Sequence, residues 1–253
     1  MRKILVISKN TFKQTIRDKI LYGIVIFALI FLGSTVVLSS LSLGEDTFVI
    51  KNLGLAGIYL FGLIITIFLG ASIIYDEVEN KTTYFLLAKP ITRADIIKGK
   101  FLGLFAGISV TTILMFGAYL LIVILSGGAF DYISFWAIML QLLEMGILIS
   151  FLMLFSVFTT PLAATIYTIL ILYIGHLLTF IKEYADKSEG VSKYILTSVY
   201  YVFPNFEKFN IRNLIVHQIP ISAEEIMIST AYAVIYIILI IYIAQALLNK
   251  KEL

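Results

Sequence analysis

Glu144 is the residue of this chain whose position most needs a chemical explanation. It is the one Asp, Glu, Lys or Arg inside six long apolar runs, and Gln141 stands one helical turn before it. An ionised carboxylate in membrane hydrocarbon costs several kcal/mol, so such a group is protonated, paired or turned to water. Two uses follow. One is a polar element of a substrate path, or of a contact between two membrane subunits. The other is an interhelical hydrogen bond that only holds the bundle, which is the commoner use of an isolated polar side chain between membrane helices. His176, in the fifth apolar run, poses the same choice. One His without a second ligand at helical spacing makes a poor metal site. His217 lies too far along the chain to be paired with it from spacing alone.

Catalytic chemistry finds little footing elsewhere. The chain has no cysteine, which excludes disulfides, thiolate metal sites and thiol nucleophiles. Gly99-Lys100 is followed by Phe101, without the upstream glycine or the Ser/Thr that a phosphate-binding loop needs. A Gly-x-Ser-Gly nucleophile with a helical His, as an intramembrane serine protease requires, is missing. Glu224-Glu225 lacks the following Arg of a prenyl-protein-processing metalloprotease. The chain is therefore expected to be non-catalytic, with an intramembrane enzyme the least favoured reading. An ATP-independent secondary transporter or channel is the main alternative to an ATP-driven one. Such proteins usually show broken helices or several intramembrane charges at the midplane, whereas here only Glu144 is charged and no two halves of the chain look alike.

The elements that position these residues are membrane spans. Hydrophobic residues make up 60% of the chain and charged ones 14%, against about 45–50% and about 25% in soluble domains. Mean hydropathy is +1.00. The runs are Ile20–Leu43, Leu53–Tyr75, Phe101–Leu125, Tyr132–Phe158, Pro161–Ile181 and Ile226–Leu248. Each is long enough for a helix to cross a bilayer, which takes about 20 residues. They are too long, and alternate too little, for the strands of a barrel. The first run begins only at Ile20 and lacks a small-residue exit site, so it reads as a retained span rather than a cleaved signal. The net charge of +3 argues no nucleic-acid partner.

Lys and Arg sort by the positive-inside rule, except for Lys182, Lys187, Lys193, Lys208 and Arg212 in the long outer segment, and long loops translocate largely regardless of charge. Arg2, Lys3, Lys9, Lys13, Arg17 and Lys19 precede the first span. Lys81, Lys89, Arg93, Lys98 and Lys100 follow the second, and Lys250 and Lys251 follow the last. Both termini are expected in the cytoplasm, and residues 1–253 form one transmembrane domain with two substantial connections, Asp76–Lys100 inside and Lys182–Glu225 outside. The basic, partly amphipathic segment Met1–Lys19 reads equally as a helix in the cytoplasmic interface or as a plain topology anchor. Tyr22, Tyr59, Tyr75, Tyr132, Tyr184 and Tyr242 read as interfacial anchors. Gly99, Gly103 and Gly107 form a small-residue row suited to close packing.

In the inner connection, Asp76-Glu77-Val78-Glu79 places acid in the first turn of a short helix that Lys89-Pro90 stops. Thr92-Arg93-Ala94-Asp95 has capping-box spacing and opens a second helix leading into the third span. A charged-then-apolar helix suits either docking of a soluble partner or resting on lipid headgroups.

This segment, with Asp76, Glu77, Val78, Glu79, Thr82, Leu86, Leu87, Lys89, Pro90, Ile91, Arg93, Ile96, Gly99 and Lys100 in place, resembles the loop after the second span in ABC-2 type transporter permeases. Tyr200-Tyr201-Val202-Phe203-Pro204-Asn205-Phe206-Glu207-Lys208-Phe209-Asn210 is similar to the stretch before the last span in one branch, which contains the permease of the nitrous-oxide-reductase copper-maturation transporter. The resemblance covers the whole chain in architecture and these two segments in motif. It implies an all-α membrane protein of six spans with an N-terminal interfacial helix, a cytoplasmic coupling helix and a re-entrant external segment before the last span. It implies an ATPase-coupling loop carrying Asp76, Glu77, Glu79, Thr82, Leu86, Pro90 and Arg93, with Pro204, Asn205 and Phe206 in the external segment. It further implies pairing with ATP-binding cassette subunits, which hold the ATP and Mg, and with a second permease, a copy or a close relative, in the plasma membrane. Export is the direction the family implies. The substrate is left open, because no Met or His cluster points to metal handling.

Overall fold

The computed structural model describes residues 2–40, 46–72, 92–129, 132–212, 214 and 221–250. Eight α-helices, and no strand, occur among them: α1 (Arg2–Ile16), α2 (Lys19–Ser39), α3 (Asp46–Ser72), α4 (Arg93–Leu125), α5 (Tyr132–Ser156), α6 (Pro161–Lys187), α7 (Val191–Val202) and α8 (Ala223–Lys250). One 3₁₀ turn, Phe206–Phe209, lies between α7 and α8. Six of the helices (α2 to α6 and α8) are long and apolar enough to cross a membrane, and they match the six apolar runs. The expected short helix from Asp76 to Pro90 falls in 73–91, outside the described residues.

Local chemistry sets several helix ends. The capping box at Thr92 is present: the Asp95 amide donates to Thr92 Oγ1 at 3.2 Å, and the Thr92 amide donates to Asp95 Oδ2 at 3.2 Å. The helix it opens merges with the third span into a single rod of 33 residues, about 50 Å long at 1.5 Å per residue. Thr160 caps α6, with Pro161 at its first position, where the missing amide costs nothing. Asp18 accepts from the Ile20 amide and separates α1 from α2. α6 runs past the expected Ile181 to Lys187, where α7 turns back against it.

Helix α5 forms the centre. It packs against α3, α4, α6 and α8, and 83% of its most apolar window is buried, against 17% for α8 and 22% for α2. A helix apolar on every side suits either protein interior or lipid; α5 takes the first and α2 and α8 largely the second. Its Ile147, Leu148, Ile149, Leu152 and Met153 are fully enclosed. Ser156 ties its end to α3 by donating to the Ala71 carbonyl at 3.1 Å.

The row of glycines on α4 faces α1. A Cβ at Gly99 would lie 2.7 Å from Ile7, one at Gly103 2.6 Å from Thr11 and one at Gly107 2.5 Å from Thr15. The matched order of numbers makes α1 parallel to the first part of α4. Thr11 and Thr15 are buried there, while Lys9, Lys13 and Arg17 stay exposed.

Candidate functional site

Two places join helices of the bundle through charged side chains. The first is the junction where α4 begins. Arg93 donates from one guanidinium nitrogen to the Leu248 carbonyl at 2.6 Å and to the Asn249 carbonyl at 3.4 Å. Those carbonyls are among the last of α8, which lack helical partners and carry the negative end of its dipole. The start of α4 is thus fastened to the end of α8 by Arg93 and to α1 by the glycine row. Of the expected loop residues, Arg93 alone is described; Asp76, Glu77, Glu79, Thr82, Leu86 and Pro90 lie within 73–91. Replacing Arg93 with Ala is expected to remove about 1 kcal/mol from the last turn of α8. Faster backbone hydrogen exchange confined to residues 246–250 is the measurement that checks it.

The second place is a cluster inside the bundle, contributed by four elements. The Tyr59 hydroxyl, from α3, donates to Glu144 Oε1 of α5 at 2.6 Å and lies 2.8 Å from His176 Nε2 of α6. His176 Nε2 is 3.1 Å from the same Glu144 oxygen, and its Nδ1 is 3.3 Å from Glu207 Oε2 on the 3₁₀ turn. The Arg212 guanidinium lies 4.2 Å from the centroid of the Tyr59 ring. Gln141, one turn along α5, donates to the Ile58 carbonyl of α3 at 3.2 Å and does not join the cluster. A cleft of about 300 Å³, walled by Leu63, Ile169, Leu172 and Tyr173, reaches Tyr59, His176 and Arg212 from outside.

The 3₁₀ turn reaches His176 because Gly175 leaves room for it. A Cβ at Gly175 would collide with the Phe206 ring and come within 2.5 Å of the Pro204 carbonyl. Phe206 is fully buried there. α7 ends at Val202, and Pro204, which has no amide to donate, stands just beyond its end. Asn205 accepts from the Glu207 amide at 3.1 Å, capping the turn, and its own amide donates to the Tyr232 hydroxyl of α8 at 2.8 Å. Ser229 Oγ donates to the Lys208 carbonyl at 3.3 Å. The segment 203–212 therefore binds α6 on one side and α8 on the other.

The structure brings Glu144 and His176 into one cluster and places Pro204 and Phe206 against its edge. It also enlists residues that sequence reasoning passed over. Tyr59 is a hydrogen-bond partner of Glu144, not a free interfacial anchor, and Glu207 and Arg212 come from the external connection. Interior position was the available signal for Tyr59, since it stands inside the run Leu53–Tyr75 and not at its end; Glu207 and Arg212 carried none. Among the described residues no group of three or more His, Cys, Asp or Glu is placed to hold a metal ion.

The chain matches the family model described as ABC-2 family transporter protein over residues 5–253. No curated protein matches it. Six apolar helices, five of them around the buried central α5, matched by that model almost from end to end, identify the chain as an integral membrane protein that belongs to the ABC-2 transporter family.

Proposed function

We propose that the chain is the permease subunit of an ATP-driven exporter of the ABC-2 type. The observation that carries this reading is the family match across residues 5–253 together with six spans. ATP and Mg are held, in this reading, by separate ATP-binding cassette subunits, and the chain itself is not an enzyme. Gly99 and Lys100 support that division, since they lie inside α4, where backbone amides are committed to the helix and cannot cradle phosphate. A second permease, the same chain or a relative, completes the translocation path, and membrane lipid surrounds the rest.

Segment 76–90 is the contact with the ATPase in this proposal, with Glu79 and its neighbours Asp76 and Glu77 near it, Arg93 at its far end and the termini on the same, cytoplasmic side. Motion delivered there reaches α4 at its first turn. Because Arg93 holds α8 and the glycine row holds α1, that motion is passed to three helices as a unit. The basic face of α1, with Lys9, Lys13 and Arg17 exposed, suits contact with the cytoplasmic lipid surface. Segment 203–212 serves as the re-entrant element at the outer end; its insertion between α6 and α8 supports that assignment. The likeness of Tyr200–Asn210 to the copper-maturation branch supplies no substrate, because among the described residues the cluster beside it holds a single His.

The test is purification of a tagged copy from its native membrane in mild detergent, with a Glu79→Lys copy in parallel. Recovery of a soluble ATPase with the native sequence, lost with Glu79→Lys, supports the reading. Recovery of the permease without any ATPase, under conditions that keep other such complexes whole, overturns it.

A further inference from the structure

The hydrogen-bond inventory around His176 is one proton short if every group takes its ordinary ionisation state near neutral pH. Ionised carboxylates only accept, while a neutral imidazole has one N–H and one lone pair. His176 stands between two carboxylates, Glu144 at 3.1 Å from Nε2 and Glu207 at 3.3 Å from Nδ1. Whichever nitrogen carries the hydrogen, the other then turns a lone pair towards a carboxylate oxygen. The Tyr59 hydroxyl has a single hydrogen, which it gives to Glu144 at 2.6 Å. Among the described residues, the groups facing His176 are Tyr59 from α3, Glu144 from α5, Glu207 from the 3₁₀ turn and, across the Tyr59 ring, Arg212. Arg212 bonds Asn210 and reaches the cluster only through that ring.

One added proton resolves every contact. On the imidazole it lets both nitrogens donate. On Glu144 it lets the carboxyl donate to Nε2 while Nδ1–H goes to Glu207. These are two descriptions of a proton shared by one coupled pair. Exposure decides what happens when it leaves: side-chain exposure rises from 1% at Glu144 to 25% at His176 and 42% at Glu207. The buried carboxylate has no water to turn to, so the remaining N–H stays with Glu144, and Glu207 exchanges its imidazole for water. The Glu207 link is one of the ties that hold segment 203–212 against α6.

We propose that Glu144 and His176, with Tyr59, form a proton-binding site whose occupancy latches segment 203–212 into the bundle through Glu207. The latch is closed at low pH and loosens as pH rises and the shared proton is lost. This holds whether or not the chain works with an ATPase, so its test is independent of transport.

A chain with no native cysteine allows a direct reading. Ser229, 7% exposed, lies under the Lys208 carbonyl of the segment, so Ser229→Cys becomes reactive when the segment lifts. Ser198→Cys on the exposed face of α7 serves as reference, because thiolate formation raises both rates alike with pH. In lipid nanodiscs, which open both membrane faces to a maleimide, the ratio of the two rates is expected to rise about tenfold from about pH 5 to about pH 8, the range over which His titrates and the change one charge-assisted hydrogen bond makes in an opening equilibrium. His176→Gln in the same background is expected to flatten that dependence. Glu207→Gln, at the exposed end, tests the same point should His176→Gln fail to fold, and is also expected to flatten it. A ratio that does not change with pH in the parent, or an unchanged dependence in a folded His176→Gln or Glu207→Gln protein, overturns the proposal. A His that only supports the fold would leave the parent flat.

Discussion

Replacing Glu144 with Ala is expected to destabilise the bundle by about 2–4 kcal/mol, whereas Glu144→Gln is expected to lose less than about 1 kcal/mol. The difference follows from what each change leaves behind. Ala removes an acceptor that Tyr59 and His176 share at 2.6 and 3.1 Å, at a site where Glu144 itself is 1% exposed. Tyr59 and His176 keep each other at 2.8 Å, which caps the loss below that of a fully orphaned pair. Gln keeps a carbonyl oxygen for the Tyr59 hydroxyl in nearly the same volume. Trp136, the only tryptophan, lies on the same helix and makes its fluorescence a clean reporter of unfolding in mixed micelles. An Ala variant as stable as the parent would show that the cluster does not bind α3, α5 and α6 together.

The second large effect belongs to the glycine row. Gly103→Leu is expected to drive α1 off α4 at a cost of about 3 kcal/mol. A side chain there meets backbone, the Ser8 carbonyl and the Phe12 amide, as well as Thr11. Backbone of a helix cannot swing aside as the end of a flexible side chain can, so the whole of α1 must move. Because Lys9, Lys13 and Arg17 are exposed on α1, its release should appear as rapid tryptic cleavage at those three residues while the rest of the bundle resists. Gly117→Leu on the same helix is the control: nothing lies within 4 Å of its Cβ position, and cleavage of α1 should stay as slow as in the parent. Equal cleavage rates in the two variants would remove the glycine row as the fastening of α1.

Both effects bear on how the bundle moves. α1, α4 and α8 are joined where α4 begins, by glycine packing and by Arg93 on the last carbonyls of α8. α3, α5 and α6 are joined by the Glu144 cluster, which segment 203–212 also reaches. Packed interfaces of this kind tend to switch between discrete arrangements, not to deform smoothly. A perturbation at residues 76–90 enters the first group, while a proton at His176 acts on the second.

The amino-acid sequence alone determined the membrane class, the six spans and the start of α4. Hydropathy is a sum over neighbours in the chain, so Phe101–Leu125 or Tyr132–Phe158 declares itself without any tertiary contact. The Thr92–Asp95 capping box is likewise a local bond pattern that four consecutive residues suffice to encode. Glu144 and His176 were legible as polar groups in apolar runs, but their partners were not. Tyr59 and Glu144 are 85 residues apart, and His176 and Glu207 are 31 apart, one in a span and the other in the external connection. The tertiary structure alone decided that the Gly99–Gly107 row meets α1, because small residues permit a close approach without choosing the partner. It also decided that α5, no more apolar to the eye than α2 or α8, is the helix buried on every side. A lipid and a neighbouring helix present almost the same solvent to an apolar side chain, so composition cannot tell which of the two a span will face.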